Sequence, residues 1–130
     1  MNTQQSQQVV AADYDDGDCL YFEDCVPPGP HDQPLTWRQV ETLLRSAPDW
    51  SLEGVALERV MAFKSFREAM AFVNRVADLA EAQGHHPDIS VSYRTVRLSL
   101  TTHKIGGLSR NDFILAAKID RMAAEGVRRS

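Results

Sequence analysis

The stretch SFREAMAFVNRVADLAEAQGHHPDISVSYRTVRLSLTTH, residues 65–103, decides the fold. Its first half repeats apolar residues at helical spacing: Phe66, Ala69, Met70, Val73, Val76, Ala77 and Ala80. Ser65-x-x-Glu68 is a capping box, and Gly84 is placed as the residue just past a helix end, so the spacing predicts a helix over roughly 66–83. The period then changes from that of a helix to that of a strand. Ile89, Val91 and Tyr93 alternate with Ser90 and Ser92, and Val96, Leu98 and Leu100 alternate with Arg97, Ser99 and Thr101. With a turn around Arg94-Thr95, this predicts a hairpin with one apolar face, pairing 89–93 with 96–100 and bringing Asp88 near Thr101.

Upstream, Thr36-x-x-Gln39 is a second capping box, and Trp37, Val40, Leu43 and Leu44 form an apolar stripe until Pro48. A short helix is predicted over about 37–46. Trp50 to Leu52 reads as a brief strand, Glu53-Gly54 as its turn, and residues 55–63 as a second strand. Downstream, Ser109-x-x-Asp112 caps a last helix through Ala124, stopped by Gly126. The apolar residues of that helix cover more than one stripe, which predicts one side on the sheet and another on a partner subunit. The order α-β-β-α-β-β-α predicts an α+β domain: a four-stranded, largely antiparallel sheet with three helices on one face.

Composition sets the bounds. The 130 residues are 43% hydrophobic and 25% charged, as in one ordinary globular domain. No run of apolar residues is long enough for a membrane span, and the opening MNTQQSQQVVAA has neither the basic nor the apolar part of a secretory signal. The net charge of −4 is unevenly spread. Residues 1–34 carry seven acids and no Lys or Arg, whereas residues 35–130 have a net charge of +3, too small to argue for nucleic acid. Residues 1–34 therefore read as an acidic, Pro-rich extension, largely disordered; alternatively, its Leu20, Tyr21 and Phe22 lie extended against the body. Residues 35–130 read as the domain. Both cysteines, Cys19 and Cys25, fall in the extension, so no disulfide framework holds the body, and a cytoplasmic location is expected.

Three of the four histidines, His85, His86 and His103, fall within nineteen residues, each following a secondary-structure element. Continuing the hairpin alternation, His103 falls with Arg97, Ser99 and Thr101 at a strand end, where the antiparallel pairing lets the imidazoles converge. Surface or capping histidines are the competing reading. A zinc site fits less well: adjacent imidazoles do not readily face one ion, and the body has no thiolate. The set Cys19, Cys25 and His31 reads as accidental spacing. Glu68 and Asp112 suit helix N-termini.

The spaced set Glu81-x3-His85-His86-Pro87-x5-Tyr93-x9-His103-x8-Asp112 resembles the signature of the pterin-4a-carbinolamine dehydratases. Around it, Arg59-x-x-x-Phe63, Phe66-x-x-Ala69-x-x-Phe72, Leu100-Thr101-Thr102-His103 and Gly106-Gly107-Leu108-Ser109 are similar too. The likeness covers about residues 35–125. It implies removal of water from a 4a-hydroxytetrahydropterin to give a quinonoid dihydropterin, within tetrahydrobiopterin recycling. That step needs an acid for the departing hydroxyl and a base for the N5 proton, and imidazole, with an ordinary pKa of ~6.5, serves either role. By the same resemblance His85 and His103 are the acid–base pair, while His86 positions the substrate or shares their work. Glu81 orients an imidazole or contacts the pterin; its alternative is an exposed last-turn carboxylate. Thr101, Thr102 and the backbone at Pro87-Asp88 would hydrogen-bond the ring. Tyr93 and Asp112 match as signature positions, Asp112 chiefly as a cap. Many relatives carry an aromatic residue where this chain has Ile89. The resemblance implies no metal and no cofactor, the pterin being substrate, and a homodimer or homotetramer. The alternative is an inactive relative acting as a protein-binding or assembly factor, of the RuBisCO-assembly or transcription-factor-dimerisation kind, with residues 1–34 as one partner-binding segment.

Overall fold

A computed structural model describes residues 20–129. The elements are α1 (Trp37–Leu44), β1 (Ser51–Glu53), β2 (Ala56–Ala62), α2 (Phe66–Gln83), β3 (Asp88–Ser92), β4 (Thr95–Leu100), a 3-10 turn (His103–Ile105) and α3 (Arg110–Arg129). The four strands lie in the order β1-β2-β4-β3, every neighbouring pair antiparallel. This is the α+β architecture that the change of period predicts.

Strand alternation sorts the residues between the two faces of the sheet. Leu57 faces Leu100 and Met61 faces Val96 across the β2–β4 ladder, while Ile89 faces Leu98 across β3–β4. These inner residues pack under the helices with Phe72, Val76, Phe113, Leu115 and Ile119. Leu57, Leu98, Leu100, Leu115 and Ile119 are wholly buried, each worth about 1.5–3 kcal/mol of burial. Arg59 occupies an inner-row position opposite Leu98, and its guanidinium meets Asp120 of α3, which also accepts from Trp50 Nε1 at 2.8 Å. Burial raises the Asp120 carboxyl above its ordinary value despite these two donors.

Both expected N-caps form, the first as a full capping box and the second through its serine alone. Thr36 Oγ1 accepts from the Gln39 amide, and the Gln39 side chain accepts from the Thr36 amide. Ser65 accepts from the Glu68 amide. Gly84 closes α2 in the left-handed region at φ 66°, with the His85 amide returning to Ala80 O.

Several local expectations need correction. The first helix ends at Leu44, and Trp37 stands 61% exposed while Val40 and Leu43 carry the burial. The hairpin turns at Tyr93-Arg94, so Asp88 pairs with Ser99 and not with Thr101. Tyr93 makes this possible by taking φ 54°, and the turn is held by Phe63 N donating to Arg94 O at 2.9 Å. His103 does not continue a strand; it opens the 3-10 turn. The last helix runs through Gly126 to Arg129, since one interior glycine costs only about 1 kcal/mol relative to alanine.

Of the two readings of the extension, the one that lays Leu20, Tyr21 and Phe22 against the body holds for the first two. Residues 1–19 of the extension, Cys19 included, lie outside the described residues. From Leu20, however, the chain is docked. Leu20 is 2% exposed in the main core, and Tyr21 packs against that core while Phe22 points out at 76% exposure. Lys118 Nζ donates to Tyr21 O at 2.6 Å, and the Arg121 guanidinium lies 4.4 Å from the Tyr21 ring centroid. Tyr21 is thus seated on α3 through Lys118 and Arg121.

Candidate active site

Three separate elements converge on Asp112. Gly84 ends α2 and delivers His85; β4 delivers Thr102; the start of α3 brings Ser109 and Asp112 itself. The Asp112 carboxylate is wholly buried. Its Oδ1 lies 2.6 Å from His85 Nε2, and its Oδ2 accepts from Thr102 Oγ1 at 2.8 Å and from the Ser109 amide at 2.9 Å. The Thr102 and Ser109 hydroxyls meet each other at 2.7 Å. A carboxylate only accepts, so His85 donates through Nε2, and in the neutral ring Nδ1 is left as the acceptor. A single polar cluster therefore fixes the tautomer and the ring plane of an imidazole that is only 12% exposed.

The other candidates are more open. His86 Nε2 meets Glu81 Oε2 at 2.7 Å on the surface, so Glu81 is an exposed last-turn carboxylate that contacts an imidazole. His103 directly follows Thr102 and is exposed. Its turn is closed by the Gly106 amide returning to His103 O, with Gly106 at φ 73°, and by the Thr102–Gly107 bridge. Thr101 donates to Val55 O at 2.6 Å, so the hydroxyl protons of Thr101 and Thr102 are both engaged within the protein. Pro87 precedes β3, which opens at Asp88, exposed. Tyr93 lies in the hairpin turn, 69% exposed. The structure thus ties Thr102, Ser109 and Asp112 to His85 and Glu81 to His86, and attaches His103 through the backbone of Thr102. Among the described residues, no group of three or more His, Cys, Asp or Glu side chains is arranged to hold a metal ion.

Two residues that sequence reasoning passed over border the site. Asn111, adjacent to Asp112, is 8% exposed; its Oδ1 accepts from the Val26 amide at 2.9 Å and its Nδ2 donates to Val26 O at 2.7 Å. Gln83, two residues before His85, accepts from the Cys25 amide at 2.8 Å. No local pattern marks either, because their partners lie far away in sequence. Beside them, Val26, Pro27 and Pro28 of the extension face Ile105, Ser109 and Asn111 across a cleft of about 300 Å³.

An antiparallel α+β domain that locks one imidazole on a buried carboxylate and carries two more histidines at the adjoining element ends has the groups for proton transfer. Residues 33–122 match the family model for pterin 4 alpha carbinolamine dehydratase. A relative in Methylococcus capsulatus is 44% identical over 108 residues, 82% of this chain and 95% of that protein. One in Thermomicrobium roseum is 52% identical over 85 residues, 65% of this chain and 91% of its own length. Both are named, provisionally, pterin-4-alpha-carbinolamine dehydratases. A crystal structure from Brucella melitensis, described as a transcriptional coactivator/pterin dehydratase, aligns with a TM-score of 0.66 at 31% identity over 70% of this chain and 99% of that one. The chain belongs to the pterin-4a-carbinolamine dehydratase family.

Proposed function

We propose that this protein dehydrates a 4a-hydroxytetrahydropterin to quinonoid dihydropterin and water, using its histidines as acid and base. The observation that carries this reading is the His85–Asp112 pair, a buried imidazole of defined tautomer in a chain of this family. In the reaction the C4a–O bond breaks as an acid protonates the departing hydroxyl. A base takes the N5 proton, and the N–H electron pair forms the C4a–N5 double bond. His85 and His103 fill the two proton-transfer roles, and His86, oriented by Glu81, holds the substrate or shares the work. Pro87, Asp88, Thr101 and Thr102 line the pterin; Thr101 and Thr102 contribute oxygen lone pairs, since their protons are engaged. Tyr93 serves the fold at the hairpin turn. The pterin is substrate, and neither metal nor cofactor takes part. The working form is a cytoplasmic homodimer or homotetramer, with the acidic extension, residues 1–34, as the segment that meets a protein partner.

Spectroscopic conversion of freshly made 4a-hydroxytetrahydropterin tests this. Wild type should exceed the uncatalysed rate, and His85→Ala and His103→Ala should each lower kcat by about 10²–10⁴-fold. A wild type no faster than buffer would leave the alternative, a non-catalytic binding protein. Two histidine variants as fast as wild type would remove the site assignment.

A further inference from the structure

The contacts of residues 23–26 fall beside the His85–Asp112 pair from both sides. On the α2 side, Gln83 Oε1 accepts from the Cys25 amide, and Gln83 Nε2 donates to Asp24 Oδ1 at 3.1 Å. On the α3 side, Asn111 exchanges two hydrogen bonds with the Val26 backbone, and Arg110 grips Glu23 with Nε and Nη2 at 2.8 and 2.6 Å. Gln83 is two residues from His85 and Asn111 is next to Asp112. The segment also lies before residue 33, where the family match begins. Its thiol is a spacer: burial pushes Cys25 up to about 11, and Sγ rests 3.6 Å from Asn111 O.

We propose that residues 23–26 act as a positioning strap, which joins Gln83 to Asn111 and so holds His85 on Asp112. Among the described residues, the end of α2 and the start of α3 also meet through the His85–Asp112 bond. The polar cluster sets the bond itself, and bracing the two element ends that carry it narrows how far they can drift apart. The strap supplies that brace, with backbone amides that cannot swing away as side chains do. Misplacement by about 1 Å costs on the order of 10²-fold in a proton-transfer site, so Gln83 and Asn111 influence the rate without touching substrate. The rate consequence rests on the dehydratase reading; the geometric one does not.

The experiment uses the full chain with Asn111→Ala and Val26→Pro, which break the same contact from opposite partners. Proton NMR follows the low-field imidazole line of His85 Nε2–H, and kinetics separates kcat from KM. Val40→Ala, a core change in α1, serves as a control matched for lost Tm. Both strap variants should lose or broaden the line, lower kcat by about 10–10²-fold with KM within about twofold, and act non-additively when combined. An unchanged line in either folded variant, equal loss in Val40→Ala, or no such line in wild type overturns the proposal. Should Asn111→Ala and Val26→Pro both fail to fold, Gln83→Ala decides by the same line. A wild type with the line but no dehydration refutes the proposed function alone.

Discussion

Asp112 offers two oxygens to three donors and is itself wholly shut off from water. Asp112→Asn should therefore be more than a loss of charge. An amide nitrogen cannot accept, so it either deserts Thr102 and Ser109 or donates to His85 and forces the imidazole proton onto Nδ1. The expected result is about 1–3 kcal/mol less stability in urea unfolding and about 10²–10⁴-fold lower kcat. Wild-type turnover in that variant would mean that the tautomer does not matter. The capping position of Asp112 was legible from Ser109-x-x-Asp112, and half of that box is present, the Ser109 amide on Oδ2. Its bond to His85 was not, because it exists only where α2, β4 and α3 meet. Asn111 and Gln83 were illegible for the same reason, since each recognises main chain far away in sequence.

Among the elements, the long helix was read to the residue because period, cap and terminal glycine agree over five turns. The hairpin register slipped by two because nothing in the sequence marks Tyr93 for a left-handed turn, a conformation that a bulky residue rarely takes. The 102–107 loop is tighter than its two glycines alone suggest. A Cβ on Gly107 would lie 2.9 Å from Pro34 Cβ and 3.3 Å from its Cγ, and a proline ring has little freedom to yield. Gly107→Ala should cost about 1–3 kcal/mol and lower Tm in thermal unfolding, whereas an unchanged Tm would show that Pro34 moves aside. The strap carries a pH dependence of its own. Hydrogen bonds and charge from Arg110 hold the Glu23 carboxyl below its ordinary 4.5. Its contribution is complete above that value and is lost as pH falls through the depressed one. The Val26 amide signal should therefore shift on acidification below about pH 4.5, and Glu23→Gln should remove the shift. A titration indistinguishable between the two proteins would exclude this pair as the cause.

Across the whole molecule, the uneven charge seen in the sequence has an internal use. Among the described residues, Glu23 of the acidic segment pairs with Arg110, and the Tyr21 carbonyl and ring receive Lys118 and Arg121 of α3. Composition revealed the asymmetry but not its direction, since an acidic, proline-rich stretch reads equally as a free tail. No described helix is long and apolar enough to cross a membrane. The outer sheet face, where Val60 opposes Arg97, is not covered by the helices, which lie on the other side.

The strap also sets an order of events at birth. Leu20 and Tyr21 leave the ribosome early, yet Tyr21 is seated on Lys118 and Arg121 of α3, about a hundred residues later. At ~5–20 residues per second, these apolar side chains wait roughly 5–20 seconds for a surface that has not been synthesised. A stretch made early is thus among the last to be fastened, and the site it braces is finished only when residues 20–26 have met α3.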